Sequence, residues 1–324
     1  IRDRVSCLVG SEMCIRDRNV ERIGADFRCV NSAPLRVFLC APEIDPAATG
    51  EGFVAWKWAE ALSEVVDLTV FAFQYDNRPL VAETLPKARA ITAPRPKMFS
   101  RVPRFEAMAK PHYPFFMRAV RKARADNPGA FDIAHEIMPQ AARYPRPLCG
   151  SGLPYVVGPL GGTLDTPAAF RTEASSAVWF TRLRALDAWR LRYDPWLRRS
   201  YAGADLLLGV GPYMRDVLGA IDMKRFEPLL ELGVSDLPSL PERQTDQQAG
   251  LRLLHVGRGV RTKGLRDVIR AMGHLRDVLP DMTLTSAGAG EENDICRREA
   301  EALGIADREV FKGLIARDEV EALY

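Results

Sequence analysis

The segment HVGRGVRTKGL, His255–Leu265, places an arginine and a lysine where an anion could be held. An apolar run ends at Gly257, Arg258 follows at once, and Lys263-Gly264 stands where the next helical pattern begins. In an open parallel sheet, ligands bind outside the carboxyl ends of the strands, and a helix N-terminus there offers unpaired amides to an anion. Two cations beside such a helix start suit a diphosphate, since each charge-assisted hydrogen bond is worth roughly 1.5–3 kcal/mol. A solvated basic loop has the same composition, and the segment alone leaves both readings open.

The elements that must hold this loop are legible on either side of it. LRVFLC (Leu35–Cys40) predicts a buried parallel strand, followed by a loop through Gly50-Glu51-Gly52 and a helix from about Phe53. Val66–Phe73, Ala88–Thr92, Phe131–His135, Pro154–Gly158 and Ala204–Val210 predict further strands, with helical stretches between several of them. Such alternation predicts a parallel sheet covered by helices. The polar, proline-bearing stretch Ser235–Gly250 then reads as an interdomain connection. Beyond it, LRLLHVG, MTLTSAG and EVFKG (Glu309–Gly313) predict three strands. Leu265, Val268, Ile269, Met272 and Leu275 fall at helical spacing, and Glu291–Leu303 predicts a second helix. The expected fold class is α/β, with one Rossmann-like domain over 33–234, a linker over 235–250 and a second Rossmann-like domain over 251–324. Three strand-helix units make about half of a doubly wound domain, so the second domain is expected to be incomplete.

Composition narrows the class of function. A chain of 324 residues favours two cores, and 47% hydrophobic with 27% charged residues is ordinary for a packed protein. Forty-five Lys and Arg against 42 Asp and Glu leave a formal charge of only +3, which argues against a nucleic-acid partner. The six cysteines form no CxxC pair and no ligand spacing with the four histidines, so neither zinc nor a disulfide framework is expected, and a reducing cytoplasm fits. No apolar run approaches the roughly 18–20 residues of a membrane span. The tetrapeptide IRDR occurs at Ile1–Arg4 and again at Ile15–Arg18, and Ile1–Arg18 resembles a translated sequencing adapter, expected to add nothing to the fold.

Three segments in order, GRGVRTKG, SAGAGEEN (Ser286–Asn293) and VFKGLIARDEVEALY (Val310–Tyr324), resemble the donor-binding half of family-4 glycosyltransferases of the GT-B fold. Phe131–Thr163, with its G-P-x-G-G loop, is similar to the acceptor-side half of that family, and LLELGVS (Leu229–Ser235) to the strand and turn entering the linker. The resemblance implies two Rossmann-like parallel-sheet domains facing a cleft and sugar transfer of hexosyltransferase type. By that resemblance the donor would be a nucleotide-diphosphate sugar, and the acceptor a glycan or lipid-linked molecule. Retention of configuration is implied as well. Arg258 and Lys263 would stabilise the diphosphate as it leaves, because fixed cations there act on charge that grows in the transition state. No cofactor and no metal are then expected, in keeping with the absence of an Asp-x-Asp motif. By the same resemblance Gly50, Gly52, Gly257, Gly288, Gly290, Gly313 and Leu314 would line the donor, and Gly161, Gly162 and Thr163 the acceptor side. The acceptor-domain histidine of many members is replaced here by Gly158-Pro159, which leaves His135 as the nearest candidate. The family's two glutamates spaced eight apart would lie beyond Tyr324. Each glycine turn also reads as an ordinary strand-to-helix turn.

The Arg-rich stretch Val178–Tyr201 spaces Trp179, Leu183, Leu186 and Trp189 near helical periodicity. A domain helix with a core-facing apolar side needs this pattern and is the preferred expectation. A peripheral contact with the inner face of an anionic membrane would use the same residues. Two other functions fit the fold class. One is a sugar-nucleotide epimerase, which needs a matched carboxylate and histidine set not evident here, and the other is an inactive fragment that only binds nucleotide.

Overall fold

The computed structural model describes residues 34–48, 50–76, 78–96, 113–162, 164, 185–233, 250–316, 319–320 and 322–324. The described residues up to 233 form one compact unit and those from 250 onward another. The segments Ile1–Arg18 and Val178–Arg184, the linker up to Gln248-Ala249, and Thr163 lie outside the described residues.

The first unit is a seven-stranded parallel sheet in the order β3-β2-β1-β4-β5-β6-β7. Its strands are β1 (Arg36–Cys40), β2 (Asp67–Gln74), β3 (Arg89–Pro94), β4 (Ile133–Glu136), β5 (Tyr155–Leu160), β6 (Leu206–Gly209) and β7 (Phe226–Pro228). Side chains alternate across a strand, so each strand feeds both faces. Val37 and Leu39 of β1 join Leu68, Val70 and Ala72 of β2 in one buried cluster, while Phe38 and Cys40 join Phe71 and Phe73 in the other. Burial on both faces explains why these strands read as continuous apolar runs. Helix α1 (Glu51–Ser63) covers the first face through Val54, Ala55 and Ala59. Helix α3 (Tyr113–Ala125) covers the second through Phe116, Met117 and Val120; the short α2 spans Val81–Thr84. Each large side chain so buried contributes about 1.5–3 kcal/mol. The strand order reverses between β1 and β4, so the loops after Cys40 and Glu136 flank the crevice where doubly wound sheets bind ligands.

Two expectations need correction in this unit. Leu229–Ser235 does not begin with a strand: β7 ends at Pro228, and the Leu229 amide still bonds the Gly209 carbonyl at 2.7 Å before the chain leaves the sheet. The helix expected to run through the Arg-rich stretch is two helices, α4 (Ala185–Tyr193) and α5 (Pro195–Ala202). Asp194 ends the first and caps the second, its Oδ1 accepting the Trp196 and Leu197 amides at 3.1 Å, with Pro195 set at the first helical position. The inward positions of α4 are Asp187 and Leu191, four residues apart, and Asp187 pairs with Arg143 at 3.1 Å. That register turns Leu186 and Trp189 outward, Trp189 being 59% exposed, where the sequence pattern predicted core, and Tyr193 faces outward with them. The segment completes with α6 (Tyr213–Val217).

The second unit is a three-stranded parallel sheet ordered β10-β9-β8, with β8 (Arg252–Val256), β9 (Thr283–Ala287) and β10 (Glu309–Gly313). Helices α7 (Leu265–Leu275) and α8 (Glu292–Ala302) cover it. Leu265, Ile269 and Met272 recur at three- and four-residue steps and meet Leu284, Cys296 and Ala300 in the core. Among the described residues no helix is long and apolar enough to cross a membrane.

Candidate functional site

The three strands of the second unit end together in glycine-rich backbone. The Gly257 amide bonds the Ala287 carbonyl at 2.9 Å, extending the β8–β9 ladder by one rung, and the Gly288 amide bonds the Gly313 carbonyl at 2.7 Å. The Gly259 amide meets the Ala289 carbonyl at 2.9 Å, and the Glu292 amide returns to the Gly259 carbonyl at the same distance. A Cβ on Gly288 would overlap the Gly257 carbonyl oxygen, and one on Gly290 would overlap that of Gly259. Close approach of two backbones, more than a permissive turn, requires glycine at both positions. Gly257, Gly288, Gly290 and Gly313 thus form one junction, from which the Leu314 side chain projects almost fully exposed.

Three cations rise from the loop after β8, and their surroundings differ. Arg261 is held by Asp267 through two contacts of 2.7 and 2.8 Å. Arg258 and Lys263 are exposed and have no side-chain partner among the described residues. Lys263 does not open α7 directly. It ends a single 3-10 turn, Arg261–Lys263, and Gly264, at φ 78°, stands between that turn and the helix. The Lys263 stem passes 3.6 Å from where a Gly257 Cβ would lie, so its ammonium starts from the carboxyl end of β8. His255, which the sequence reading passed over, fixes this arrangement. Its Nε2 is 3.1 Å from the Lys263 carbonyl and its Nδ1 is 3.3 Å from Ser286 Oγ, tying β8, the cationic turn and β9 together. Asn293 was missed as well. Its amide donates to the Gly288 carbonyl at 2.8 Å, while its buried Oδ1 has no hydrogen-bond partner among the described residues and faces Gly259. A paired arginine, two cations with no side-chain partner among the described residues and a glycine junction thus stand together at one sheet end, a charge arrangement of the kind that suits an anion. Among the described residues no three His, Cys, Asp or Glu side chains converge as metal ligands.

In the first unit, Gly50, at φ 75°, precedes α1, and its carbonyl accepts the Val54 amide at 3.1 Å. Glu51 and Gly52 already belong to the helix, and Gly52 packs closely on Ala48 and Glu43. Gly161 bonds the Gln140 carbonyl at 3.1 Å through its amide, which joins the loop after β5 to the loop after β4, and Gly162 follows at φ 81°. His135 is corrected as an acceptor-side residue. It is only 6% exposed, its Nε2 lies 2.7 Å from the Gly158 carbonyl, and its ring meets Trp58 edge-on at 5.5 Å. Burial holds its pKa down at about 4. A histidine titrating at about 6.5 when unfolded and at about 4 when folded leaves full stability above pH 6.5, and that stability is lost as pH falls toward 4, by about 3 kcal/mol. Urea midpoints of the wild type should therefore drop over this interval relative to His135→Gln; parallel curves would show that His135 is not the responsible group.

Beside His135 lies a buried network that no spacing announced. Arg146 and Glu136 are both fully buried and paired at 3.2 Å. Arg146 also donates to the carbonyls of Pro139 and Ala141 at 2.9 and 3.1 Å and to Tyr201 Oη at 2.6 Å, and the Tyr113 hydroxyl lies 2.8 Å from Glu136 Oε1. Burial pushes the Glu136 carboxyl above its ordinary value, while Arg146 and Tyr113 pull it back. The network clamps the loop after β4 at the point where the strand order reverses.

Comparison with known proteins follows the two units. Residues 241–324 match the family model described as Glycosyl transferases group 1. No curated protein matches the sequence. Among solved structures, the chain is similar to WaaG, a glycosyltransferase involved in lipopolysaccharide biosynthesis, at 17% identity over 89% of this chain and 72% of that one, with a TM-score of 0.51. It is also similar to the trehalose-6-phosphate synthase OtsA at 14% identity, 89% and 76% coverage and a TM-score of 0.54. The trehalose-6-phosphate phosphatase N-terminal domain of Candida albicans matches at 10% identity, 91% and 76% coverage and a TM-score of 0.55. Identities this low speak for the fold alone: it is GT-B, and its residues 241–324 carry the pattern of the group 1 glycosyl transferases.

Proposed function

We propose that this protein is a glycosyltransferase that moves a sugar from a nucleotide-diphosphate sugar to a glycan or lipid-linked acceptor. The observation that carries the reading is the pair Arg258 and Lys263, unpartnered among the described residues and set at the carboxyl end of β8, within the segment that matches the group 1 family. The glycine junction fixes the strand ends from which the two cations rise, and these cations stabilise the charge that grows on the leaving β-phosphate oxygen as the glycosidic bond breaks. Cationic stabilisation of this kind needs no divalent ion, and the reaction is proposed to be metal-independent and to retain anomeric configuration, as in the family that the three motifs resemble. The test is calorimetric titration with a panel of nucleoside diphosphates and their sugars, followed by product analysis with an acceptor extract. Saturable binding of at least one donor is expected, and no binding by any of them overturns the proposal.

A peripheral membrane contact belongs to the same proposal because of one finding: Leu186 and Trp189, for which core packing was the expectation, face outward together with Tyr193 and beside Arg192. Aromatic and basic side chains on one exposed helix face suit an anionic bilayer surface. Cosedimentation with phosphatidylglycerol vesicles should fall at least tenfold in a Trp189→Ser, Tyr193→Ser variant, since each aromatic side chain withdrawn from water is worth about 1.5 kcal/mol or more. Equal cosedimentation would leave that face a plain solvent surface.

A further inference from the structure

The first unit contains a cavity of about 620 Å³ between α3, the loop over 143–145 and the helices α4 and α5. Four guanidiniums line it: Arg118 and Arg121 from α3, Arg143 from the loop and Arg190 from α4, around a floor that includes Met117 and Tyr144. Its size falls in the range of small-molecule sites, which combine an apolar lining with a few convergent polar groups. The charges do not cancel. Arg143 pairs with Asp187 at 3.1 Å and Arg190 with Asp194 at 3.0 Å, whereas neither Arg118 nor Arg121 meets a carboxylate among the described residues. Arg121 donates to the Pro147 carbonyl at 3.4 Å.

The wall of this cavity is built to stay in place. Three successive carbonyls of the loop each bond a side chain from a different helix. Arg190 of α4 donates to the Arg143 carbonyl at 2.9 Å, Tyr201 of α5 to that of Tyr144 at 3.1 Å, and the Tyr113 hydroxyl of α3 lies 3.1 Å from that of Pro145. Behind them stands the fully buried Arg146, bonded to Glu136, to Tyr201 and to two further carbonyls. A wall fixed beforehand spares a ligand the cost of ordering it. We propose that this cavity is a binding site for a phosphate ester carried on an apolar or ring-bearing body. Two guanidiniums that meet no carboxylate among the described residues match the charge of a phosphomonoester, which is close to −2 at neutral pH, and their planar forks suit its oxygens. The aromatic and thioether floor takes the body of the ligand. The site belongs to the first unit and uses none of the residues assigned to the donor diphosphate.

The experiment is calorimetric titration of phenyl phosphate, with inorganic phosphate and phenol as its separate halves, into the wild type and into Arg118→Gln and Arg121→Gln. Both substitutions are at exposed positions and preserve the helix. Phenyl phosphate is expected to bind at least tenfold more tightly than either half and to lose about tenfold to hundredfold in each variant, the loss that one charge-assisted contact implies. It should keep its affinity in the Arg258→Ala, Lys263→Ala double variant. Unchanged binding in both glutamine variants, or loss of binding only in the double variant, would overturn the proposal by sending the phosphate elsewhere. The source of the ester is read from vesicles of phosphatidylcholine with and without phosphatidic acid. Retention that needs phosphatidic acid and Arg118, and that phenyl phosphate displaces, identifies a lipid headgroup. Calorimetric binding without such retention identifies a free ester.

Discussion

Replacing Arg258 or Lys263 with alanine is expected to lower turnover about tenfold to hundredfold while weakening nucleoside-diphosphate affinity less. One charge-assisted hydrogen bond is worth roughly 1.5–3 kcal/mol, and the charge it meets is largest on the departing diphosphate. Arg261 supplies an internal comparison. It stands in the same loop, but Asp267 already holds it through two contacts, so Arg261→Ala should change turnover far less than its neighbours. The Arg258→Ala, Lys263→Ala double variant should lose less than the sum of the single losses, because both groups act on one developing charge. His255→Ala should fall between these classes, since it acts by holding the Lys263 carbonyl. Steady-state kinetics under donor titration, beside calorimetry with the nucleoside diphosphate, measures both quantities. If Arg258 and Lys263 variants kept normal turnover and affinity, the loop would be a solvated turn and the proposed transfer would lose its chemical basis.

How much of this was legible beforehand depends on the range of the interaction. The central strands of the first sheet show in the sequence because burial on two faces demands continuous apolar runs, as in Leu35–Cys40, whereas β8 reads as the apolar run Leu251–Gly257 although its side chains are only half-buried or exposed. Arg258, Lys263 and the glycines after β9 are local signals too, since a strand end and a helix start lie within a few residues of each other. The outward register of α4 was hidden because Trp189 and Leu186 have the same spacing whether they face a core or water. The Asp187–Arg143 pair, 44 positions apart in sequence, and the burial of Leu191 decide which side is inward. His135 misled for a related reason: a histidine at a strand end looks reactive until the Gly158 carbonyl and Trp58 are brought against it. The cavity under α3 draws on four separated segments and has no sequence signature at all.

The Arg146 network shows the same limit with the largest energetic consequence. Arg146 lies 10 residues from Glu136 and 55 from Tyr201, yet all three groups are buried together, and Tyr113 completes the set. Replacing Arg146 with methionine keeps much of the side-chain volume and removes every donor. Glu136 would then be left as a buried carboxylate without its cation, and the carbonyls of Pro139 and Ala141 without their partner. Breaking a buried pair from one side costs about 3–5 kcal/mol, a large fraction of the 5–15 kcal/mol that holds a typical domain folded. Arg146→Met is therefore expected to lower the urea midpoint of the first unit sharply, whereas Arg146→Met combined with Glu136→Leu should recover most of the loss, because the uncompensated charge is gone. The two substitutions should also separate stability from binding. The double variant regains its fold, but its 143–145 wall lacks the group that anchors Tyr201 and the preceding loop, so phenyl phosphate should still bind more weakly than in the wild type. Equilibrium unfolding of both variants followed by the same titration decides the point. A single variant as stable as the wild type would mean that Glu136 is protonated beside Arg146 and that the network is a set of neutral hydrogen bonds, with no buried charge to strand.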